Sequence, residues 1–301
     1  MVRAALIVGY IGVAVAAMWH PLVPRLFWTV LLPLLPIGIV LGGFYRWRRA
    51  CPLAAFGELG TRMPRQKQRR VPKWAERHFF AMTFGLLLVM LVLRHTTTNG
   101  DGMALGVLLL ALGAAAALTN AVFTGKTWCN FVCPVGFVER MYTEPASLKK
   151  VEPTSRCVRC TACKRNCPDI DQENAYWKDV HSGARRIASY AFPGLILGFY
   201  GYFWLQTGSW DFYFDGEWTR GPAPTAGFYF WPDLPPMVAA TATLGGASAL
   251  SVGGLVGLET LIARVWPEEA RHKTLALAAG LAFLSFYAFA GAPGLGKLPG
   301  G

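Results

Sequence analysis

Cys157-Val158-Arg159-Cys160-Thr161-Ala162-Cys163-Lys164-Arg165-Asn166-Cys167-Pro168, preceded by Trp128-Cys129-Asn130-Phe131-Val132-Cys133-Pro134, is the stretch around which the 301-residue chain is arranged. The C-x2-C-x2-C spacing lets one tight loop present three thiolates to the corners of a cuboidal iron-sulfur cluster, and x3-C-P sends a fourth outward. A zinc knuckle is built instead from two separated Cys or Cys/His pairs. A disulfide framework belongs to an oxidising compartment, whereas the charge distribution puts these cysteines on the inner side of a membrane.

The chain around this run is 53% hydrophobic and only 15% charged, against about 25% charged in soluble domains. That is a membrane composition. Met1 to Trp19 is apolar with Arg3 at its head, and no small-residue cleavage site precedes a polar mature domain, so it is expected to be a retained span rather than a signal peptide. The net charge of +12 is explained by membrane topology and anionic lipid head groups. No basic stripe with interleaved aromatics stands apart from the spans, which argues against nucleic acid as a partner.

A span needs about 20 apolar residues, and seven stretches qualify or come close: 2–19, 26–45, 79–95, 103–123, 187–206, 237–262 and 274–291. Pro33 and Pro36 are expected to kink the second, which lipid tolerates because neighbouring groups re-satisfy the freed carbonyls. Thr98-Asn99-Gly100-Asp101-Gly102 reads as the turn of the second hairpin. The Gly- and Ala-rich sixth span reads as a close-packing helix. Of the 29 Lys and Arg residues, 25 fall in residues 46–77, 124–186 and 264–273 or at Arg3. All lie on one side of a seven-span alternation, and the positive-inside rule makes that side cytoplasmic. The opposite side is short until 207–236, where Trp210, Trp218, Phe228 and Trp231 read as an interfacial aromatic belt in preference to a ligand site.

Each hairpin ends in a similar box. Arg46-Trp47-Arg48-Arg49-Ala50-Cys51-Pro52 leads to Glu58, and Thr127-Trp128-Cys129-Asn130-Phe131-Val132-Cys133-Pro134 leads to Glu139. Aligned on their Cys-Pro pairs without a gap, the boxes set Trp47 opposite Cys129, as though the first copy had lost one cysteine. Seven cysteines fall one short of two all-cysteine cubanes. Two arrangements stay open. In one, Cys157, Cys160 and Cys163 hold a cluster completed by Cys133 or Cys51, while Cys167 joins Cys129 and Cys51 around a second cluster with a non-cysteine fourth position. In the other, a single cluster sits on the run alone or takes Cys133 as its fourth ligand. For Cys51 the competing reading is a small buried residue. Arg159, Lys164 and Arg165 among the thiolates would favour the reduced cluster, although topology alone explains their charge. His20 and His95 are expected near the outer ends of their spans, where a pair could ligate haem or polarise a quinone oxygen; a lone interfacial histidine more often reaches for water. No phosphate loop, dinucleotide fingerprint or nucleophile elbow is present.

The two boxes and the ferredoxin run together resemble the membrane-bound 4Fe-4S polyferredoxin family. Its members accompany periplasmic nitrate reductase, nitrous oxide reductase and methylamine dehydrogenase, and the cytochrome oxidase assembly ferredoxin is similar. The resemblance covers residues 26–170. It implies electron passage between the quinone pool or a flavin and a redox partner, at a bacterial inner membrane, through cytoplasm-facing clusters carried by Cys129, Cys133, Cys157, Cys160, Cys163 and Cys167. The chain departs from the family in having one ferredoxin run where two are usual, and residues 187–301 lie outside the pattern.

The expected architecture is an all-α integral membrane protein of about seven transmembrane helices with two repeated hairpins, plus a small cytoplasmic ferredoxin-like iron-sulfur insert. Residues 1–123 form a membrane domain, 124–186 the cytoplasmic segment, and 187–301 the C-terminal helices. The expected cofactor is one or two 4Fe-4S clusters. The expected role is one-electron transfer between a quinol or cytoplasmic donor and a redox partner or respiratory-complex subunit, without substrate chemistry of its own. A redox-linked assembly or sensing protein, and a structural anchor, are the alternatives. Membrane lipid is an expected partner, and a quinone is a candidate ligand.

Overall fold

The computed structural model describes residues 2–62, 68–144, 172–219 and 225–290. Among them the secondary structure is helical, with only two isolated β-bridges, Arg69 to Phe123 and Phe228 to Trp231. The run from Cys157 to Cys167, with the ligand roles expected of it, lies outside the described residues.

Among the described residues, six helices are long and apolar enough to cross a membrane: Val2–Trp19, Leu22–Thr61, Lys73–Thr98, Gly102–Val122, Pro236–Ala263 and Ala270–Ala290. The expected span at 187–206 is also helical, within Gly183–Thr207, but falls outside those six. It begins with Arg185 and Arg186, and Ser189, Tyr190, Tyr200, Tyr202 and Gln206 interrupt its apolar run. Local chemistry fixes several helix ends. The Asp101 carboxylate accepts the Ala104 N–H at 3.0 Å at the start of Gly102–Val122, satisfying one of the donors that a helix start leaves unpaired. Pro52, Pro134 and Pro236 each open a helix, where a missing N–H costs nothing. The long second helix departs from helical geometry at Gly43 (φ 66°) and carries Pro36 inside it. Within the spans, Thr83 and Thr274 donate to the carbonyls of Phe79 and Ala270 at 2.8 and 2.7 Å, so neither hydroxyl proton is left bare.

The chain divides into two compact units. The first comprises residues 1–14, 38–87 and 107–186. It contains the two proline-led helices Pro52–Thr61 and Pro134–Thr143 and the helix Gln172–Asp179. Its core includes Phe80, Phe137, Met141 and Tyr176. Tyr10 packs edge-on against Phe56 and donates to the Leu109 carbonyl at 2.9 Å. Glu144, fully buried, accepts from Arg185 at 2.5 Å with Arg140 at 3.8 Å.

The second unit comprises residues 15–37, 88–106 and 187–301. Tyr190, Leu195, Tyr202 and Phe203 are buried in its centre. Tyr190 and Arg271 both donate to the Glu259 carboxylate, at 2.8 and 2.7 Å. The close approach expected of the Gly-rich sixth span is made by its partner. Side chains added at Gly245, Gly246, Gly253, Gly254 or Gly257 would meet open space, whereas one added at Gly194 would run into the Ala247 carbonyl. The aromatic segment after residue 207 is also more than a belt. Phe212, Tyr213 and Trp218 are buried, while Tyr229, Phe230 and Trp231 are exposed.

This packing sets an expected outcome for thermal unfolding of the purified protein in detergent. Gly194→Ala forces the backbone at Ala247 to move and should cost about 1–3 kcal/mol. Gly253→Ala, which meets nothing within 4 Å, should leave the midpoint unchanged or raise it.

Candidate functional site

The two Cys-Pro boxes produce the same local structure. Cys51 and Cys133 each precede a ten-residue helix that starts with proline, and each holds an extended backbone (φ −70°, ψ 124° and φ −62°, ψ 122°). That is the conformation a residue before proline is driven toward. It also places the side chain where the first free N–H groups of the helix emerge. The N–H groups of Leu53 and Ala54 donate to the Cys51 sulfur, and those of Val135 and Gly136 donate to the Cys133 sulfur.

The turns leading into the two cysteines differ by one residue. In the first box the Cys51 N–H donates to the Trp47 carbonyl, four residues back, at 2.8 Å. In the second, the Cys133 N–H donates to the Trp128 carbonyl, five residues back, at 2.8 Å, and Trp128–Val132 is a single π turn. The hydrogen-bond register therefore sets Trp47 opposite Trp128 rather than opposite Cys129 as the gapless alignment has it. The second copy carries one more residue, and π turns of this kind concentrate at functional sites.

Cys51, Cys129 and Cys133 come together. All three are buried, in one cluster with Leu53, Ala116 and Trp128, and all three line one cavity with Trp47, Arg48 and Glu139. The enclosed space is about 10 Å³, too small by itself to contain a cuboidal cluster. Burial first, and then the adjacent Cys129 and Cys51 thiols, push the Cys133 thiol well above its ordinary value, opposed by the Gly136 and Val135 N–H groups. Sulfurs so crowded are poor hosts for bare thiolate charge and good hosts for a cationic metal core. Among the described residues, no three His, Cys, Asp or Glu side chains are disposed to hold one metal ion. A cuboidal cluster suits the trio better, because each thiolate then binds its own iron.

A buried ion pair holds the cavity's polar wall. Arg48 donates through Nε to both Glu139 oxygens at 2.9 and 3.0 Å, and through its other nitrogens to Asn130 Oδ1 at 2.6 Å and the Cys129 carbonyl at 3.4 Å. Both charged side chains are 3% exposed, and the guanidinium lies 4.1 Å from the centroid of the Phe44 ring. The pair links the boxes, since Arg48 belongs to the first and Glu139 to the second. Asn120 braces the second box by accepting the Trp128 N–H at 2.9 Å. A side chain at Gly136 would collide with the Cys129 carbonyl, 2.5 Å from the added carbon, so glycine is what lets the helix start so near that turn. The matching position in the first box is Ala54.

Sequence reasoning did not find Arg48, Asn120 and Asn130. Arg48 was counted only as topological charge, and the available signal was that each box ends in a glutamate. Glu58, at the end of the first, pairs with Arg62 at 2.9 Å and with Arg3. The histidine pair is not assembled into one environment. His20 is exposed and accepts the Leu22 N–H at 3.3 Å. His95 is packed among Phe199, Tyr202 and Phe203, with Nε2 3.0 Å from the Phe199 carbonyl.

Arg48→Ala strands Glu139 in the cavity wall and should cost about 3–5 kcal/mol, read as a fall in thermal midpoint together with loss of bound iron. Replacing both members of the pair by methionine should recover most of that stability.

A family model for a 4Fe-4S binding domain matches residues 105–150, a range that contains Cys129 and Cys133 but not Cys51 or the ferredoxin run. No curated protein and no solved structure matches the chain. The three buried sulfurs of the Cys-Pro boxes suit the group that this match names, and the cofactor of the chain is a 4Fe-4S cluster.

Proposed function

We propose that this chain is a membrane-bound iron-sulfur electron-transfer protein, passing single electrons between a quinol or cytoplasmic donor and a redox partner subunit. The observation that carries the proposal is the meeting of Cys51, Cys129 and Cys133 at one buried cavity, where the sulfurs of Cys51 and Cys133 receive backbone N–H donors. A 4Fe-4S cluster supplies reversible one-electron chemistry without bond-making at substrate. The residues of the boxes hold it still, exclude water and present hydrogen bonds to sulfur, which tune its potential.

The grouping of the three cysteines also favours one ligand assignment. Cys51, Cys129 and Cys133 act as a set completed by Cys167, the member of the run that precedes proline. Cys157, Cys160 and Cys163 then hold a second cluster with a non-cysteine fourth position. The six apolar helices support a multi-pass membrane protein. The concentration of Lys and Arg in residues 46–77 and 124–186 supports an inner-membrane orientation with the clusters facing the cytoplasm. This reading agrees with the resemblance to the membrane polyferredoxins.

Anaerobic purification with iron and sulfide counting and low-temperature paramagnetic resonance should give about eight irons per chain in two signals. Cys129→Ser should remove or alter one signal, and Cys157→Ser the other. A count of about four, or the loss of both signals in each variant, would sink the two-cluster assignment. A chain with intact clusters that supports no steady-state electron flux in reconstituted membranes would sink the electron-transfer role in favour of sensing or assembly.

A further inference from the structure

The second unit holds a cationic group with no carboxylate around it. Arg94 lies in the π turn Arg94–Thr98 at the end of the helix that begins at Lys73, and its residue is 5% exposed. Its guanidinium sits over three rings, 4.2 Å from Trp28, 4.5 Å from Phe199 and 5.4 Å from Trp218. Trp28 comes from a second π turn, Phe27–Leu31. Arg94, Trp28 and Trp218 line a common cavity of about 20 Å³ with Tyr200 and Tyr213, and no Asp or Glu is among its lining residues. Three buried donors of those lining residues lack a hydrogen-bond partner: Arg94 Nε, Trp28 Nε1 and Trp218 Nε1.

The chemistry of that set is one-sided. Aromatic faces stabilise a guanidinium but accept no conventional hydrogen bond along the N–H axis, and buried donors are ordinarily paired. An arginine in the apolar part of a membrane protein is ordinarily paired or faces a water-filled space. What the lining lacks is a negative charge to balance the guanidinium. Its volume exceeds the roughly 10–15 Å³ needed for one water-sized occupant, and it is far smaller than a quinone ring requires. Tyr213 donates to the Phe289 carbonyl at 2.9 Å, and Thr29 donates to the Arg25 carbonyl at 2.8 Å, so neither proton is spent on an occupant.

We propose that this cavity is a binding site for one small monovalent anion, of halide to formate size, with Arg94 supplying the charge and Trp28 and Trp218 the neutral N–H donors. The site is independent of the cluster reading, since it involves none of the cysteines. Its occupancy would neutralise the buried guanidinium and lock together the segments that carry Trp28, Arg94 and Trp218.

The test uses the full chain, purified anaerobically in detergent, with sodium bromide titrated against sodium gluconate at constant ionic strength and the thermal midpoint as readout. Bromide should raise the midpoint saturably, and gluconate, too large to enter, should not. Trp218→Phe keeps the ring and removes the donor, and should raise the half-saturating bromide concentration roughly tenfold, as expected for one lost hydrogen bond to a charged group. Arg94→Gln should abolish the bromide response. If that variant does not fold, Trp28→Phe, expected to weaken the response as Trp218→Phe does, takes its place. Superimposed bromide and gluconate curves would overturn the proposal by showing that only water fills the cavity. A bromide response unchanged in the tryptophan variants would overturn it by placing the ion elsewhere. A short-chain quinone that shifts the midpoint where bromide does not would overturn it in favour of a carbonyl ligand.

Discussion

A cysteine that stands immediately before a proline-led helix has little freedom in what its sulfur meets. Proline pushes the preceding residue to extended backbone, and the helix behind it presents N–H groups with no partner of their own. Those two facts, applied at Cys51 and again at Cys133, aim two sulfurs and four donors at one small region. The rest of the first unit encloses that region. Trp47 and Trp128 wall it, Ala116 backs it, and the Arg48–Glu139 pair ties one box to the other.

The pair is an expensive fixture by ordinary reckoning. Two charges withdrawn from water lose hydration that their mutual attraction restores only when the geometry is good and further hydrogen bonds complete it. Here the Arg48 Nε–H is shared between both Glu139 oxygens, and Asn130 and the Cys129 carbonyl take up more of the guanidinium. Packed leucines would stabilise such a spot at least as well, but they would fix neither the angle between the boxes nor the orientation of the Cys129 carbonyl.

Much of this was legible in the amino-acid order. Long apolar runs gave the helices, Asn99 to Asp101 falls between two helices where the turn was read, and the recurrence of Cys-Pro announced two similar boxes. What was not legible depended on contacts far apart in the chain. Arg48 and Glu139 are 91 residues apart, and nothing local distinguishes Arg48 from its neighbour Arg49. Arg94 was absorbed into a span, and the aromatic residues after 207 looked interfacial because their burial is set by which ring meets which helix. The sixth span does pack closely, but through Ala247 and Ser251 against Gly194 and not through its own Gly253 or Gly254, which glycine content alone does not distinguish.

The extra residue in the Trp128–Val132 turn has a mechanical meaning. A π turn closes over five residues instead of four, so it takes up the extra residue and leaves Cys133 hydrogen-bonded to Trp128 as Cys51 is to Trp47. The two boxes thus differ in length as well as in side chains, and the longer one carries two cysteines where the shorter carries one. A coordination sphere can in this way be enlarged by indel rather than by substitution, leaving the flanking tryptophan and proline landmarks in place.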